Sequence, residues 1–127
     1  MTEPNGARET LPLDVVAADA AVRRADEIAT QAQQHRPPDD QALALLAEEL
    51  IGHLMLLLTA AAAEYEALPP GARLRPVVDG AARAAGSLLA RPGPATVANV
   101  LVLAGACRLL LVLHLARQTV AAPRRSS

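Results

Sequence analysis

Three proline clusters cut this chain into four segments, and no other feature limits its fold as strongly. His35-Arg36-Pro37-Pro38, Leu68-Pro69-Pro70-Gly71 and Arg91-Pro92-Gly93-Pro94 each stop a regular element. Proline disfavours the α conformation in the residue before it and has no N–H to donate. Between the stops, apolar residues recur every three or four positions, the period of an amphipathic helix. The first segment places Val15, Ala18, Val22, Ala25 and Ile28 at that spacing, and Asp14 is placed to cap its start. It is expected to run to about Gln34. The second runs from about Gln41 to Ala67 behind Asp39 and Asp40, with Leu43, Leu46, Leu50, Leu54 and Leu57 on one side. Gln41, Glu48, Thr59 and Glu66 fall opposite. A third, weaker segment begins near Arg73, with Pro76 in its first turn, where a missing N–H does little harm. The fourth spans about Thr96 to Thr119 and is apolar on nearly every side.

The side-chain palette agrees with helices. Hydrophobic residues make up 52% of the 127 positions, yet there is no Trp, no Phe and one Tyr. Strands favour aromatic and β-branched residues, whereas Ala and Leu are among the best helix formers. Short proline-rich turns favour antiparallel neighbours. The expected fold is therefore all-α, a four-helix up-down-up-down bundle over residues 13–121. Residues 1–12 are expected to be a disordered lead, and 122–127 a flexible tail.

A helix apolar all round needs cover all round. The last segment should therefore sit centrally or meet a second subunit, which points to a homodimer through that helix. Its length also suits a membrane span. Arg108 at the middle argues against one, at a cost of roughly 2.5–3.5 kcal/mol on insertion scales. The N-terminus lacks the apolar core of a secretory signal, so a cytoplasmic location is expected. The lone Cys107 fits a reducing compartment.

A formal net charge of −1 conceals a split. Residues 1–66 carry twelve acids and four arginines, a net of −8. Residues 67–127 carry one acid and eight arginines, a net of +7. One reading is attraction between helices inside the bundle; the other is a pair of faces for partners. The arginines are scattered, without interleaved aromatics, which argues against nucleic acid.

Few positions offer chemistry. His53 borders the apolar stripe of the second helix, one turn after Glu49 and on the same side as Glu64, with Gly52 beside it. Arg108 lies about 180° from Asn99 and Arg117, given some 100° per residue. If those two mark the outer face, Arg108 points inward and requires a carboxylate, Glu49 or Glu64. His53 and Arg108 both sit about twelve residues into helices that would run parallel. The four residues together would suit a small anionic ligand or, equally, a polar network fixing helix register. His114 reads as part of the polar side near the C-terminus. No His, Cys or carboxylate spacing suggests a metal, and no cofactor motif is present. Ser87 lies inside a helix rather than on a strained elbow. The leading reading is a non-enzymatic helical interaction or accessory protein. A small anionic-ligand binding protein, or a minor enzyme built on His53 and Arg108, is the alternative.

Three stretches carry a resemblance. Glu49-Leu50-Ile51-Gly52-His53-Leu54-Met55-Leu56-Leu57-Leu58 followed by Ala67-Leu68-Pro69, then Asp79-Gly80-Ala81-Ala82-Arg83, then Leu103-Ala104-Gly105-Ala106-Cys107-Arg108-Leu109-Leu110 form the matching blocks. They resemble an uncharacterised family of short actinobacterial proteins labelled natural-product-biosynthesis protein of unknown function. Thr59-Ala60-Ala61-Ala62-Ala63-Glu64 stands where that family has a Pro-Glu-Val-Glu-like step. The resemblance implies a helical accessory protein near secondary-metabolite genes, with no known reaction.

Overall fold

The computed structural model describes residues 13–36, 38–69 and 71–121, with side chains as far as residue 116. The expected lead and tail lie outside the described residues. Four helices follow in order: α1 Val15–Gln33, α2 Asp40–Ala67, α3 Leu74–Ala90 and α4 Val97–Ala121. No strand occurs among the described residues. The protein is an all-α bundle.

Each boundary has a local cause. The Asp14 carboxylate accepts from the Ala17 N–H at 2.9 Å, and Asp39 from the Ala42 N–H at 3.2 Å. These satisfy two of the amide donors that a helix start leaves without partners. Thr96 does the same for α4, accepting from the Asn99 N–H at 3.2 Å. At the far end of α1 the chain closes with two reversed bonds. The His35 N–H reaches Ala32 O at 3.1 Å, and the Arg36 N–H reaches Gln31 O at 2.9 Å. This pattern needs a left-handed residue, usually glycine, and His35 fills the position at φ 62. Where α2 turns into α3, the Arg75 guanidinium lies 4.3 Å from the Tyr65 ring centre and donates to Leu68 O at 2.8 Å.

The packing makes two helices central. α2 and α4 share the most extensive contact, and each also touches α1 and α3, while α1 and α3 do not touch. Leu50, Leu54 and Leu57 of α2 meet Val100, Leu103 and Leu110 of α4 in the fully enclosed part of the core. Ala18, Ala21 and Ala25, each 0% exposed, form the inner stripe of α1. With three alanines and Val22, 2% exposed, on that face, the helix can lie close against its neighbours. No charged or polar side chain is buried in this core among the described residues. Along α4, Cys107 meets Leu50 and His114 meets Glu64, so α2 and α4 progress in the same direction. Those pairings are compatible with an up-down-up-down course.

His35 generates a direct test. A side chain in the left-handed region costs about 1–2 kcal/mol, which glycine avoids. His35→Gly is expected to raise unfolding stability by about 1 kcal/mol, after allowance for glycine's freer unfolded state. A urea midpoint shifted upward at unchanged slope would show it.

Candidate functional site

The structure divides the four sequence-predicted residues among three separate clusters. His53, with 13% of its side chain exposed, stands with Nε2 3.5 Å from Glu49 Oε2. Nε2 is buried and has no hydrogen-bond partner among the described residues. Glu49 instead receives Arg24 of α1 at 2.6 Å. That guanidinium, first through its hydrogen bond, holds the Glu49 carboxyl below its usual value, against a smaller opposing effect of burial. Glu64 turns to α4, where His114 Nδ1 lies 2.7 Å from Oε2. Both are largely sheltered, with 13% of the His114 side chain and 23% of Glu64 exposed.

Arg108 does not join them. It is 54% exposed and pairs with Asp26 of α1 at 2.5 Å. The inward direction expected for it is corrected by the role of Asn99. The Asn99 side-chain amide donates to Pro94 O at 2.8 Å and helps close the start of α4, so it marks a helix end rather than the outer face. Cys107 holds the true inward direction, at 0% exposure, and Arg108 lies a further 100° or so round the helix, toward α1. A joint His53–Arg108 site therefore does not form. Gly52 is exposed, with nothing within 4 Å of where a side chain would begin, so it opens onto solvent rather than onto another helix.

The partners missed from sequence were Arg24, Asp26 and His114. All three act across helices, where no spacing along the chain reports a contact. Among the described residues, two ion pairs join the acidic half of the chain to the basic half: Arg108–Asp26 and His114–Glu64. Arg24–Glu49, Arg23–Asp19 and Arg83–Asp79 each stay within one half.

A groove of about 400 Å³ runs between α1 and α2. Arg24, Glu27, Gln31 and Glu49 line it along with Ile28 and Leu46. Its arginine is already held by Glu49, and Glu27 adds a second carboxylate, a poor setting for an anion. Among the described residues no group of three His, Cys, Asp or Glu is arranged to hold a metal ion. Burial pushes the Cys107 thiol up to about 12, and its Sγ donates to Leu50 O at 3.5 Å. A thiol so held is a poor nucleophile.

The outer face of α4 is different in kind. Ala98, Val102, Gly105, Leu109, Val112 and Ala116 follow one another at alternating steps of four and three. The first five are exposed and Ala116 half-buried. Val102 is 51% exposed, Leu109 44% and Val112 56%. Exposed Val16 of α1 lies beside this stripe, on the rim of an apolar groove of about 330 Å³ that Val112 also lines. By length and composition α2 and α4 are both apolar enough to cross a membrane.

Comparison of the chain with protein-family models, with curated proteins and with solved structures gives no match.

The Glu49 environment sets a pH dependence. A carboxyl whose folded pKa is lowered stabilises the fold fully above its unfolded value and progressively loses that contribution as pH falls through the folded one. Wild type should therefore lose stability below about pH 4.5, the ordinary value for this carboxyl. Arg24→Met is expected to flatten that part of the profile. Denaturant midpoints of the two proteins across the acid range, converging as pH falls, would show it.

Proposed function

We propose that this chain is a non-enzymatic helical interaction module, an accessory protein that works in the cytosol as a homodimer through α4. One observation carries the reading: a continuous stripe on the solvent side of α4 that contains no charge and no hydrogen-bonding side chain. Single exposed apolar residues are ordinary, but contiguous exposed patches mark sites of association. The stripe's three-four spacing is that of helices that pack along their length. The absence of a joined polar cluster at His53 and Arg108 leaves the anionic-ligand reading without its geometry. A role beside enzymes of secondary metabolism is supported by the resemblance of the three blocks alone.

A membrane offers competing cover for the same stripe. The polar outer surface of α1, with Asp19, Arg23, Asp26 and Glu27, favours a protein partner over lipid. Light scattering of purified protein at micromolar concentrations is expected to give the mass of two chains without detergent. A monomer at every concentration, or recovery only in detergent micelles, would overturn the proposal.

A further inference from the structure

We infer that α4 packs against α4 of a second copy in an antiparallel, two-fold arrangement, with Leu109 of each copy seated on Gly105 of the other. This rests on the dimer proposed above and adds its register.

The support is a symmetry in the stripe itself. In an antiparallel helix pair the two seam positions alternate across the axis, and a twofold passing at residue 107 brings Ala98 opposite Ala116, Val102 opposite Val112, and Gly105 opposite Leu109. Every seam position thus finds a partner, and the layers match in size. The alanines meet each other and the valines meet each other. The largest side chain meets the one position with no side chain. Gly105 is open, with nothing within 4 Å of where a Cβ would stand, so no described residue fills the hole. A closed twofold interface uses one patch twice, and this patch is self-complementary only in that sense. Parallel pairing would set Gly105 on Gly105 and leave a void in that layer, which costs stability as a cavity does.

Charge selects the same direction. Arg108 flanks the seam on its α1 side, paired with Asp26. Antiparallel packing brings the same flank of both helices together. The two Arg108–Asp26 pairs then lie on one flank beside the axis, and each arginine brings its own carboxylate as counter-charge. Parallel packing would turn Arg108 toward the opposite flank, where the side chains are Ala106 and Leu113. The antiparallel order also carries Leu101 of one copy to the apolar groove between α1 and α4 of the other, beside Val16 and Leu115.

Two experiments on the full chain test the register. Val102→Cys and Val112→Cys proteins are mixed and oxidised; the native Cys107 is 0% exposed and stays out of the reaction. A disulfide needs Cα atoms within about 7 Å. The mixture is expected to cross-link between the two variants, with little product from either alone. Cross-linking of Val102→Cys with itself would establish the parallel order and overturn the inference. A dimer by light scattering that gives no mixed cross-link would overturn the register while leaving the dimer standing; a monomer would overturn both. Gly105→Leu should keep or raise helicity, yet weaken dimerisation at least tenfold by filling the hole. The double variant Gly105→Leu with Leu109→Ala exchanges knob and hole and is expected to recover most of the loss. A double variant as weak as the single one would defeat the pairing of these two positions.

Discussion

The contact between α2 and α4 is the constraint on which the rest of this molecule depends. α1 and α3 never meet, so neither can cover its apolar side without that central pair. The enclosed leucines of α2 and the Val100, Leu103 and Leu110 set of α4 form one continuous wall. A Leu removed from such a wall typically costs about 2–5 kcal/mol, a large part of a small domain's whole stability. The flanking helices attach by smaller means. α1 presents three alanines and Val22, small side chains that fit closely and bury little area each, so its hold depends on closeness more than on bulk.

A central helix in a four-helix body still has four sides, and this arrangement covers three of those of α4. The remaining side is as apolar as the rest, which is unusual for a helix that faces water. On α2 the corresponding side is broken by Glu48, Thr59 and Glu66, all exposed. The two central helices therefore have like roles inside the bundle and unlike ones outside it. That asymmetry, rather than any arrangement of reactive groups, is what distinguishes this protein chemically.

Much of the fold was legible because its signals are local. Prolines and acidic caps mark the ends of helices within a residue or two, as Asp14 and Asp39 show. The level of one helix against another could also be read: Cys107 meets Leu50, so Arg108 does stand near the height of His53. Direction around the helix could not. It was inferred from Asn99, whose polarity serves a helix start and says nothing of where solvent lies. Cross-helix pairs such as Arg24–Glu49 and His114–Glu64 arise from the tilt and roll of packed helices, and those follow from how side chains interlock in three dimensions. The spare apolar side of α4 was legible as an excess of leucine and valine. Which residues would be left outside became clear only once α1 and α3 were placed on either flank.

The separation of α1 from α3 has an electrical consequence. α1 and its cap carry Asp14, Asp19, Asp26 and Glu27 against Arg23 and Arg24, while α3 and its two ends carry Arg73, Arg75, Arg83 and Arg91 against Asp79. With the central pair standing between them, these excesses cannot cancel by contact, and a protein of almost zero net charge acquires a transverse dipole moment. Such a molecule turns before it touches: near any charged surface it presents one long edge in preference to the other, and added salt erases that preference within a Debye length of about 8 Å at physiological ionic strength.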